Sequence, residues 1–141
     1  MTLPDPPPEE EEEEVDPGNS ILDTTKQLLG IPPEDTAFDI DVLAGINSAF
    51  MSLNQLGVGP EEGFSISDNT VLWEDFVDDL TLFGGLKNYV SMKVKLYFDP
   101  PGTSFGVTSM ENLIAELEER MKLQVELSAE QPEEEIPEEE E

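Results

Sequence analysis

Residues 36–60 read TAFDIDVLAGINSAFMSLNQLGVGP, and the fold class turns on them. Ile40, Leu43, Ile46, Phe50, Leu53 and Leu56 recur at steps of three or four, the spacing of one helix face. The pattern predicts a helix starting near Thr36, with Asp39 three positions on and Gly57, Gly59 and Pro60 ending it. Ala44, Gly45, Ser48 and Ala49 keep this helix narrow, so a neighbour can approach its backbone closely. Gly45 costs about 1 kcal/mol in a helix interior, which calls for a packing reason.

The same period continues on both sides. Upstream, Asn19 or Ser20 can cap a helix carrying Ile21, Leu22, Thr25, Leu28 and Leu29, which Gly30 and Pro32–Pro33 stop. Downstream, residues 57–69 form a long connector, where Phe64–Ser–Ile66–Ser alternates like a short strand or hairpin. Trp73, Phe76, Val77 and Leu80 then mark a short helix capped by Asp68, Asn69 or Thr70. Leu86, Tyr89, Val90, Val94 and Tyr97 mark the next, ended by Asp99–Pro100–Pro101–Gly102. A last helix opens at the capping-box spacing of Thr108 to Glu111. It runs through Met110, Leu113, Ile114, Leu117, Met121 and Val125 to about Leu127. Glu116–Arg120 and Glu118–Lys122 are spaced as helical ion pairs. The fold class is all-α: a small helical bundle of four to five helices with one long loop and acidic tails.

The chain has 141 residues, 34 acidic and 6 basic side chains, a formal net charge of −28, no His and no Cys. Residues 1–18 and 128–141 each hold eight acids and no base, which leaves 18 acids and all 6 bases in residues 19–127, a net of −12. Three segments follow: an acidic Pro/Glu-rich tail over 1–18, a helical domain over 19–127 and an acidic tail over 128–141. The tails have almost no apolar residues to offset the ordering entropy, so each is expected to be disordered alone. They serve solubility, or act as acidic arms for a basic surface.

Without His and Cys there is no imidazole acid–base catalysis, thiolate nucleophile, disulfide or Cys/His zinc site. Carboxylates are too abundant for any pair to mark a glycosidase, and the helices set most of them on solvent faces. Asp39–Ile–Asp41 begins like a calcium loop, but Leu43 and Ala44 stand where an oxygen ligand and Gly are needed. Asp75, Asp78 and Asp79 are better read as a solvated face than as a metal site. No phosphate-loop motif occurs, so no catalytic residue, cofactor or metal is expected. The charge opposes binding to nucleic acid or an anionic membrane, no run is long and apolar enough to span one, and the N-terminus lacks a signal-peptide layout.

Candidate interface residues remain. Phe64 and Phe105 sit in Gly/Ser-rich connectors, where an apolar side chain needs something to dock on, and Ile66 shares the first of these. Trp73, with Phe76, Tyr89, Tyr97 and Phe98, is most simply core, though Trp and Tyr also dominate interface hot spots. Lys87 and Lys95 lie about 80° apart on one helix while Lys93 points away, so they make no single basic stripe.

Several of these segments resemble one family. They are Asp39–Ile–Asp41, the run Ile46–Gly59, Trp73–Glu–Asp–Phe76, the run Tyr89–Pro101, and Ser109–Arg120. Together, over about Ser20 to Val125, they resemble the head–tail connector, or adaptor, proteins encoded among the head genes of tailed bacteriophages. The resemblance implies a non-enzymatic virion protein at the head–tail interface, present in the host cytoplasm during assembly. It would dock beneath the portal protein as a ring of copies, commonly twelve, and meet a tail-side stopper or tail-terminator protein. DNA would pass through its channel without specific binding. The reading from charge alone offers an alternative, an acidic DNA mimic that inhibits a DNA-binding enzyme.

Overall fold

The computed structural model describes residues 17–130; of the tails expected to be disordered over 1–18 and 128–141, residues 1–16 and 131–141 lie outside the described residues, while 17–18 fall in a 3-10 turn and 128–130 in the last helix. Five α-helices occur among the described residues: α1 (Ile21–Leu29), α2 (Asp39–Leu56), α3 (Trp73–Phe76), α4 (Leu86–Phe98) and α5 (Ser104–Glu130). Short 3-10 turns at Pro17–Asn19 and Leu80–Phe83 precede α1 and α4.

α1 begins as expected. Ser20 is its N-cap, its hydroxyl accepting from the Asp23 N–H at 3.1 Å, and Gly30 closes it in the left-handed region at φ 83°. α2 begins at Asp39, later than Thr36, because Asp35, Thr36 and Ala37 are held in turns. Phe38 there packs against Phe98, the rings tilted by 58° with centroids 5.4 Å apart. α3 is one turn, set by a reciprocal pair: Leu72 N–H donates to the Asp75 carboxylate and Asp75 N–H to the Leu72 carbonyl, both at 2.9 Å. α5 starts at Ser104, several residues before the expected Thr108. The cap is Thr103, whose hydroxyl accepts from the Gly106 N–H at 3.0 Å. It also continues past Leu127 to Glu130.

α2 and α4 make the central pair. A Cβ on Gly45 would come within 3.2–3.3 Å of Val94 and Tyr97, so the glycine is what lets α4 lie against the α2 backbone. Val42, Ile46, Phe50 and Leu53 from α2, and Leu86, Tyr89, Val90 and Val94 from α4, fill the space between. α1 closes one side with Ile21 and Leu22, and α5 another with Ile114 and Met121. Burying each such side chain contributes roughly 1.5–3 kcal/mol.

The connector from Gly57 to Leu72 forms no strand; the isolated bridge recorded among the described residues is Ser20 with Leu72. Asn47 gives the reason. Its amide donates to the Ile66 carbonyl at 2.9 Å and accepts from the Ile66 N–H at 2.8 Å, replacing a partner strand. Asn54 similarly donates to the carbonyls of Pro60 and Glu61. The loop can fold this tightly only because Gly59, at φ 91°, has no Cβ; one placed there would lie 2.3 Å from the Phe76 ring.

Candidate interaction surface

The six candidate residues separate by position. Trp73 is wholly buried: its ring faces Phe50 edge-on, and its indole N–H donates to the Thr24 hydroxyl at 2.8 Å. Ile66 is buried and Phe64 half-buried, the latter packed between Phe50 and Phe76 at centroid distances of 5.2 and 5.0 Å. These three share one aromatic cluster beneath the loop. Apolar residues in a Gly-rich connector thus find their docking surface on the chain's own core.

Phe105 is different. It lies on the first turn of α5, not in a connector, and is 80% exposed. Lys87 reaches the Gly18 carbonyl at 3.5 Å, and Lys95 the Asp99 carbonyl at 3.0 Å with the Asp99 carboxylate at 3.5 Å. Lys93 lies over the Tyr89 ring, 5.9 Å from its centroid. The three lysines of α4 therefore serve three local contacts.

The acids nearest the loop are also locally engaged. Asp68 and Asp79 accept from the backbone and hydroxyl of Thr70 and Thr81, bonds that hold both carboxyls below the usual range. Asp75 completes the α3 turn. Among the described residues, no group of three or more His, Cys, Asp or Glu is placed to hold a metal ion. No helix there is long and apolar enough to cross a membrane.

Three polar features escape the sequence pattern. Lys26 is 1% exposed; its ammonium pairs with Asp39 at 2.8 Å and donates to the Pro33 carbonyl at 3.0 Å, tying α1 to the start of α2. Its place beside Leu28–Leu29 in a short helix carried no signal of burial. Asn69 donates to Asp23, and its carbonyl accepts from the Ser20 hydroxyl, fastening the loop to the α1 cap. Tyr89 donates to the Glu118 carboxylate at 2.7 Å, so Glu118 holds α5 to α4 and is not the partner of Lys122. Burial first, then that carboxylate, raises the Tyr89 phenol above its ordinary value, with an opposing hydroxyl bond from Ser52. The Glu116–Arg120 pair forms at 2.8 Å on the solvent side of α5.

The remaining surface holds unexpected apolar exposure. Ile40 (82%) and Met51 (67%) project from α2, although Ile40 belongs to the periodic set. Leu28, Tyr97, Leu113, Leu123 and Leu127 are also exposed. Lys26, Lys87, Lys95, Asn47, Asn69, Asp75 and Glu118 are thus engaged in contacts within the fold. What the chain offers to another molecule is form, apolar side chains and charge.

In comparisons with known proteins, a family model described as "Phage connector protein" matches residues 21–128. No curated protein matches, and no solved structure does.

Proposed function

The chain belongs to the phage connector protein family, and from that premise we propose that its copies form a ring docked on the portal of a phage head. In this reading the ring, twelve-fold as is common in such connectors, extends the DNA channel. Its far side meets a tail-side stopper or tail-terminator protein. The protein acts through shape and charge and transforms no substrate.

One observation carries the reading: the family match begins at the first residue of α1 and ends in the last turn of α5, so it covers the folded unit almost end to end. The chemistry is compatible. A net charge of −28 makes a poor grip for DNA, and an acidic channel wall would repel phosphates during passage. The rival reading, a DNA mimic, needs carboxylates arrayed on rigid elements at phosphate-like spacing. Asp23, Asp68, Asp75 and Asp79 are instead spent on caps and turns.

The test is to mix the full chain with its phage's portal ring at near-physiological salt and image the product by negative stain. A second ring of density stacked on one end of the portal is expected. Portal particles unchanged at saturating chain would refute the proposal.

A further inference from the structure

In a chain with 40 charged residues among 141, residues 42–60 contain none, the longest charge-free run in the sequence. The second longest is residues 100–110. Both lie partly at the surface, and both carry strongly exposed apolar side chains. On α2, Ala44, Ser48, Met51, Asn54 and Gln55 are all exposed, so the outward face of this helix beyond Asp41 is neutral. Over 100–110, Phe105 projects from the first turn of α5. Thr103 caps that turn, and Gly106 packs so closely on Pro101 that a Cβ would lie 2.9 Å from it. The aromatic ring is therefore presented on a preformed corner.

Beside the neutral face of α2 runs an open groove of about 270 Å³. Gly45, Ser48 and Ala49 form its floor, with Leu96, Tyr97 and Lys93 from α4 along it. It has room for one aromatic side chain, and Lys93 is the single charge lining it.

Resting on the reading of the chain as a ring-forming connector, we propose that the α2 face and its groove receive the Phe105 corner of a second copy of this chain. The occupant follows from charge. A basic partner would be drawn to the carboxylate-rich surfaces and would gain nothing from a neutral one. Two copies that each carry −12 over residues 19–127 can meet closely only where charges are missing, because like charges set against each other in an interface cost several kcal/mol. Interface centres are correspondingly depleted of charged residues and enriched in aromatics and Met. The donor and acceptor surfaces differ, so the contact is head-to-tail, the kind that closes into rings.

The absence of native cysteine gives a clean experiment. Full-length Ser48→Cys and Ser104→Cys chains, the second keeping Phe105 beside an exposed thiol, are each checked for native helicity by circular dichroism and mixed at high concentration. They are then treated with a short bis-maleimide. The expected result is a dimer crosslinked between positions 48 and 104 that forms at least tenfold more in the mixture than in either variant alone. Adding Ala44→Glu to the Ser48→Cys chain should remove that excess. Equal or no crosslinking in the mixture and the single variants, or crosslinks that survive Ala44→Glu, would overturn the proposal. A chain that fails this test yet still stacks on portal rings would leave the connector reading standing and remove only this contact.

Discussion

Trp73 is the residue on which the loop, α1 and α2 all depend. Replacing it with Ala removes the chain's one tryptophan from a fully buried site, taking away its edge contact with Phe50 and the bond to the Thr24 hydroxyl. Large-to-small aromatic changes in a core cost about 3–5 kcal/mol. The lost hydrogen bond falls within the roughly 0.5–1.5 kcal/mol of a typical one. A domain of this size has a total stability of roughly 5–15 kcal/mol, so Trp73→Ala should remove about a fifth of it or more. Trp73→Phe separates the two contributions: it keeps most of the ring, loses the N–H donor, and should cost about 1–2 kcal/mol. Urea titrations followed by circular dichroism at the helical band give both values without the lost fluorophore. A cost below about 1 kcal/mol for Trp73→Ala would refute the reasoning, since it would mean the cluster beneath the loop contributes little.

Other perturbations follow from the same geometry. Asp39→Ala leaves the buried Lys26 ammonium with only the Pro33 carbonyl, and should cost about 3–5 kcal/mol, as losing one member of a buried pair does. Pairing it with Lys26→Met should recover part of that loss, and additive costs in urea melts would argue against coupling. Gly59→Ala combines a left-handed backbone, about 1–2 kcal/mol, with overlap onto Phe76, a further 1–3 kcal/mol or so. Gly63→Ala, with φ 100° and open space around it, should show only the first, and equal losses would contradict the close approach at Gly59. The raised phenol of Tyr89 makes a pH prediction. The folded state keeps a proton that the unfolded chain gives up near pH 10, so this contribution is complete below pH 10 and is lost as pH rises toward the folded value. Stability above pH 10 should fall less steeply in Tyr89→Phe than in the parent chain, and parallel slopes would rule out the effect.

The periodic stripes made the helices legible, because a 3.6-residue repeat is a local property of the chain. Ser20, Gly30 and Gly57 likewise act within a turn or two, and the structure has them where the pattern put them. Gly45 was readable as a narrow point, although its partner Val94 was not. The errors share a cause. The Phe64–Ile66 alternation looked like a strand until Asn47, far back in the sequence, supplied the bonds a partner strand would have made. The early start of α5 came from Thr103 outcompeting the capping box at Thr108. Glu118 and the exposure of Leu28, Ile40, Tyr97 and Leu113, all placed on apolar stripes, depend on what lies across the core, which spacing along one helix does not reveal. The resemblance supplied the family where residue chemistry supplied only exclusions.

The most direct test of the account is a single-particle reconstruction of the neck of the purified virion. Repeated copies of the α2–α4–α5 bundle should encircle the DNA channel between portal and tail. Virions that lack the chain, or a neck with no density fitting this bundle, would contradict it.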